Sequence, residues 1–160
     1  MAVAGDDAAE FPAIERDYIH HLGSADFDWC RFASPSPRRC LRRPLAEARI
    51  GLLSTAGAHL LGEGPIGPDG PPRVVPVDAE VTFHHVGYDT GGAKAGPEVV
   101  WPVGTLRSLA EEGVIGELSE RAVSMMGAVL DGRVVTERHV PVAVEQFRRD
   151  DVDLVLLVPA

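Results

Sequence analysis

His59, His85, Tyr88, Asp89 and Glu117 are the side chains of this 160-residue chain whose types and spacing could do chemistry together. Two imidazoles and a carboxylate, His59, His85 and Asp89, suit a divalent metal such as zinc or iron, with positions left open for water or substrate. The same trio suits general acid/base work, because an imidazole beside a carboxylate titrates near neutrality. Tyr88 could orient a carboxylate or donate to an oxyanion, and Glu117 could be a base or a ligand. Each also has a plainer reading: a histidine packed and hydrogen-bonded at a strand end, a tyrosine ring laid on a sheet, a glutamate in solvent. The other candidates are weaker. His84 alternates to the face opposite His85 in a regular strand. Ser124 lacks a nucleophile elbow. Met125 and Met126 read as core, and His20, His21 and His139 fall in a lead-in or a loop.

The elements that must position these residues follow from pattern. Ala48 to Ser54 is a short continuous apolar run, as in a strand buried on both faces. Val81 to His85 is β-branched and aromatic and reads as a second strand. His59 and His85 then follow directly after strands, and if those strands are parallel neighbours the trio shares one mouth of the sheet. A helix fits Val103 to Glu112, with Thr105 as its cap and Gly113 as its stop. Gly116 to Met126 reads as a further helix, Val134 and Val135 as a short strand, Pro141 to Arg149 as a helix and Val152 to Val158 as a buried strand. Asp17 to Leu22 is a short helix in the lead-in. Alternating strands and helices predict an α/β fold with a mostly parallel sheet flanked by helices, Rossmann-like or flavodoxin-like. Residues 1–44 form the lead-in and connector, and 45–160 the single α/β domain. Sites in such sheets lie beyond the carboxyl ends of the strands, so the chain stops where a site is expected to begin.

Composition narrows the function classes. With 45% hydrophobic and 24% charged residues the chain is globular, and a net charge of -9 repels nucleic-acid backbones and anionic membrane surfaces. Arg38, Arg39, Arg42 and Arg43 make a local basic patch, read either as an anion site or as a solvated connector. Cys30 and Cys40 lack metal or redox spacing and read as reduced cytoplasmic thiols. No apolar run approaches the roughly 18 residues that span a bilayer, and no secretory leader is present. Gly62, Gly64 and Gly67 match the dinucleotide spacing, but Gly67 runs into a proline-rich turn instead of a helix, so no NAD fingerprint is assigned.

Several phrases together resemble one family. Pro44-Leu45 before a strand with Thr55-Ala-Gly-Ala-His59 after it, then His85-Val-Gly-Tyr88-Asp89, then Pro102, Leu106 to Leu109, Gly113-Val-Ile-Gly116 and Ser124-Met-Met-Gly127 stand in order. The closing Asp151 to Pro159 continues the pattern. Over about residues 40 to 160 the chain resembles the amino-terminal half of the glycine/sarcosine/betaine and D-proline reductase selenoprotein B family. The resemblance implies an enzyme in which a selenocysteine or cysteine after the last strand attacks substrate and labilises a carbon–nitrogen bond. Here only Ala160 follows that strand, and neither cysteine stands at the matching position.

The expected function is therefore reductase-related. One reading is an enzyme acting on a small amino-acid-like or N/S-containing compound through His59, His85 and Asp89, with or without a metal. A second is a split subunit completed by a cysteine-bearing partner chain, and a third a non-catalytic binding or scaffolding protein. The first two imply a homo- or hetero-oligomer, because a half-length sheet leaves an edge that wants cover.

Overall fold

The computed structural model describes residues 7–37, 39–67 and 69–160. Arg38, part of the basic patch, lies outside the described residues. Among those residues the strands are β1 (Arg49–Ser54), β2 (Ala58–Leu60), β3 (Arg73–Pro76), β4 (Val81–Phe83), β5 (Glu117–Leu118), β6 (Arg121–Ser124) and β7 (Leu154–Val158). The helices are α1 (Asp7–His21), α2 (Gly91–Ala95), α3 (Val103–Glu111), α4 (Gly132–Val134) and α5 (Val140–Arg149). Two compact units result: the described residues up to Pro37 with Leu130–Gly132, and residues 39–129 with Arg133–Ala160.

In the first unit α1 is longer than the expected Asp17 to Leu22 helix. The chain after it folds back, so that the Trp29 indole donates to the Pro12 carbonyl at 2.7 Å and His20 Nε2 to the Phe27 carbonyl at 2.5 Å. Phe27 meets Trp29 edge-on, with ring centres 5.3 Å apart.

In the second unit β1 is the central strand. Along one side it pairs in parallel with β7, from Ile50 opposite Leu154 to Ser54 opposite Val158. Along the other it pairs in parallel first with β5 and then with β6. Antiparallel β3 closes that side against β6, and β2 and β4 form a separate antiparallel ribbon. The α/β class holds, with a mixed sheet. Alternation along β1 sends Ile50 and Leu52 to one face, where they join Val103 and Leu106 of α3 in one apolar cluster. Leu53 faces the other way and packs with Ala143 and Phe147 of α5. Each helix buries residues spaced to form one stripe: Val103 and Leu106 in α3, Ala143, Gln146 and Phe147 in α5. Thr105 is not the cap of α3. Glu98 takes that place, accepting from the backbone N–H of Gly104 and of Thr105, each at 2.9 Å.

Several expectations are corrected. The segment Gly116 to Met126 is β5 and β6, because its apolar residues flank β1, with Ala122 and Val123 buried on opposite faces in strand fashion. Val134 and Val135 are helical: α4 runs into a π turn, Val135–His139, and on into α5. β2 and β3 arise in stretches for which the sequence suggested no element. The Gly62 to Gly67 loop leads on to β3, not into a helix.

The amino ends of the strands are tied by charge. Asp150, only 6% exposed, accepts from Gln146 Nε2 at 2.8 Å and from Ser119 Oγ and Arg121 Nε at 3.2 Å each, and a second Arg121 nitrogen meets its other oxygen. Arg42 and Arg43 pair with the buried Asp153 carboxylate at 3.3 and 3.1 Å. Part of the basic patch is therefore a clasp between the connector and the start of β7. Among the described residues no helix is long and apolar enough to cross a membrane.

Candidate functional site

Four chain segments meet beyond the carboxyl end of the sheet. Thr55 leaves β1, His84 and His85 leave β4, Met125 to Gly127 leave β6, and Pro159 and Ala160 leave β7. Local geometry fixes the first exit. Gly57 adopts a left-handed φ of +64°, and a β-carbon there would collide with the His84 carbonyl. Its N–H donates to the Met125 carbonyl at 3.0 Å, and Ala56 bridges Met126. The Thr-Ala-Gly phrase is thus the bend that carries the chain from β1 into the β2/β4 ribbon.

The segments converge on Gly127. A β-carbon on Gly127 would stand 2.9 Å from the Ala160 carbonyl and 3.0 Å from both His85 Nε2 and Thr55 Oγ1. The Thr55 hydroxyl receives the Ala160 N–H at 2.8 Å and donates to the Ala160 carbonyl at 3.2 Å. His85 Nδ1 accepts the Gly87 N–H at 3.0 Å, while its Nε2 is buried and has no hydrogen-bond partner among the described residues. The ring stacks on Tyr88, with centres 4.1 Å apart. Burial pushes the His85 pKa below its ordinary value, with a smaller push from His84, and burial raises that of Tyr88. Beside this point opens an apolar cleft of 480 Å³, lined by residues that include Leu53, Met125, Val129, Val140 and Leu157.

The sequence-derived residues divide. His85 and Tyr88 are together at the convergence. His59 is 5% exposed on β2, its Nδ1 donating to the Gly57 carbonyl at 3.0 Å. It stands opposite Thr82 in the antiparallel register, whereas His85 lies two residues beyond the end of β4 at Phe83. The shared mouth expected for them required β4 to run beside β1; it pairs with β2 instead. Asp89 Oδ1 accepts the Gly91 N–H at 3.1 Å at the start of α2. Glu117 lies at the far end of the sheet, its carboxylate 2.8 Å from Arg49 Nη2. Among the described residues no three His, Cys, Asp or Glu side chains are grouped to hold one metal ion. Thr55, Gly127 and Ala160, unremarked as site residues in the sequence, were signalled only by their places at the ends of motifs that close strands.

The arrangement has relatives. Residues 72–160 match the family described as glycine/sarcosine/betaine reductase selenoprotein B. The chain belongs to this family. It is also 30% identical over 120 residues to the D-proline reductase subunit gamma of Acetoanaerobium sticklandii, a match covering 72% of this chain and 50% of that protein. The chain spans about half the length of the curated relative it matches. No solved structure matches it. Within the family motifs of this chain, the glycines at 57, 116 and 127 are points where backbone segments approach too closely for a side chain.

Proposed function

We propose that this chain forms the substrate-binding half of a cytoplasmic reductase that cleaves a carbon–nitrogen bond in a small amino-acid-like compound, and that further polypeptide supplies the thiol or selenol. Residues 45–160 act as the family domain. The observation that carries this reading is the convergence at Gly127: His85 Nε2, buried and without a hydrogen-bond partner among the described residues, and the Ala160 carbonyl at the exit of β7 both come within 3.0 Å of a β-carbon placed on Gly127. A reactive sulfur or selenium placed just past that exit stands beside His85 and the cleft. There it forms a bond to the substrate carbon as the carbon–nitrogen bond breaks, the amine leaving with a proton.

The open edge of β7 supports a partner. Among the described residues its ladder is with β1 alone, and Leu154, Leu156 and Leu157 are exposed, Leu157 by 64%. An apolar edge of this kind pairs with another strand or aggregates. The complementing polypeptide covers it, extending the parallel core β7-β1-β6 toward a Rossmann-like or flavodoxin-like sheet. The site works through His85 and Tyr88; His59, Asp89 and Glu117 hold the ribbon, α2 and the sheet's amino end in place.

The test is to purify the chain with and without a polypeptide carrying the family's cysteine- or selenocysteine-bearing half. Amine release from glycine, sarcosine and betaine, and the ring-opened amino acid formed from D-proline, are then followed with dithiothreitol as electron donor, and either product counts as release. Release by the pair alone supports the reading. A stable pair that gives release from none of the four overturns it.

A further inference from the structure

We propose that a helix of the complementing polypeptide packs into the apolar groove between α5 and the open edge of β7, on the face of the sheet that α5 covers. That such a polypeptide exists rests on the reductase reading; where its helix lies follows from how the sheet is wound. β6 and β7 run parallel on opposite sides of β1, and the chain crosses from one to the other by way of α5. α5 lies on the face to which Leu53 points. The way back from β1 to β5 crosses in the other direction, with α3 on the other face against Ile50 and Leu52. Both crossings therefore have one hand, as crossovers between parallel strands almost always do. A parallel strand added beyond β7 continues in the direction from β6 to β7. The same hand puts the helix that leads into it on the face of α5, alongside α5.

The surface at that place is apolar and open. Leu157 stands opposite Leu53 in the register, points to the same face and is exposed. Val140 lines the 480 Å³ cleft together with Leu157, and Val144 follows one turn later on the same side of α5. Both valines are exposed. They form the wall of the groove, and Leu157 forms its floor. A strand paired to the backbone edge of β7 leaves the Leu157 side chain uncovered, because side chains stand out of the plane of a sheet. A helix lying beside α5 at the usual spacing of about 8–10 Å covers all three. A second copy of this chain is a poorer occupant, since each copy carries a net charge of -9. The cleft runs on to Thr55 and Gly127, so the seated helix also shields the convergence from water.

The experiment titrates the full chain with the family's cysteine- or selenocysteine-bearing half and reads association by calorimetry. Val144→Glu puts a charge into the groove and should weaken association about tenfold or more. Val142→Glu, exposed on the opposite flank of α5, should leave it unchanged within error. Circular dichroism confirms that both variants fold. In a second measurement a photoreactive label is attached to Val144→Cys, with Cys30→Ser and Cys40→Ser removing the two exposed thiols of the chain. It should capture residues of the other half spaced three and four apart, as on one face of a helix. Capture at every second residue marks a strand and overturns the inference. So do full binding by Val144→Glu, a loss confined to Val142→Glu, absence of any association, or capture of a second copy instead of the other half. Neither readout requires turnover, so a pair that assembles in this way yet gives no release overturns the reductase reading and leaves the groove assigned.

Discussion

The backbone carbonyl of His84 fills the space that a side chain on Gly57 would need. Gly57 is also in a left-handed conformation, at φ +64°, so two independent penalties fall on any replacement. Gly57→Ala should destabilise the fold by at least about 2 kcal/mol, from backbone strain and from forced separation of the ribbon at His84. Urea unfolding measures it. A loss within error of zero means that the bend relaxes without the glycine.

Asp150 joins α5 to β6 and to the turn before it. The Arg121 guanidinium holds its carboxyl below the usual range against the opposing effect of burial, with Gln146 and Ser119 helping. Asp150→Asn should cost about 2 kcal/mol, the scale for hydrogen bonds to a charged group. The sign with pH follows from the depressed pKa: this stabilisation is complete above the unfolded carboxyl value near 3.9 and is lost as pH falls through the folded one. The variant should therefore converge with the parent in strong acid. A constant gap down to about pH 2 would contradict the assignment.

Two histidines give a second acid-sensitive term. His139 is buried. Burial lowers its pKa first, then Arg138, with Asp69 and the Gly70 backbone opposing. His85 is lowered in the same direction. A histidine whose folded pKa is depressed contributes stability that is complete above about pH 6.5 and declines as pH falls. Stability should thus fall from about pH 7 toward 5, and His139→Leu and His85→Gln should each flatten part of that slope. A slope unchanged in both variants assigns the effect elsewhere.

Leu157 belongs to the exposed edge of β7. Leu157→Glu should change the unfolding free energy by no more than about 0.5 kcal/mol, as is usual for an exposed position. The same change should abolish association with the complementing half in light scattering. Retained association places the partner on another surface.

How much was readable in advance depended on where burial acts. β1, α3 and α5 announced themselves because each carries an uninterrupted apolar run or one stripe, and the structure keeps their bounds within a residue or two; β7 was legible as a strand from its apolar run, but Leu154, Leu156 and Leu157 are exposed where a buried strand was expected. Gly116 to Met126 misled because β5 and β6 are too short to show alternation, and their strand character comes from pairing with β1, 68 residues earlier at Arg49 and Glu117. His85 and Tyr88 stand at the convergence of strand exits because their motif follows β4. The parallel pairing expected between the strands before His59 and His85 was not legible, because the sequence does not say that β4 pairs with β2. Thr55 and Gly127 matter through a backbone approach, which residue type alone does not encode.

The central strand also sets the order of assembly. Ile50 is hydrogen-bonded into register with Leu154, a partner 104 positions later. A ribosome therefore exposes β1, apolar and half-flanked, for most of the time it takes to make the chain, and closing so long a loop is intrinsically slow. The edge of β1 that β7 covers stays unpaired until β7 is made, a consequence of the sheet's strand order.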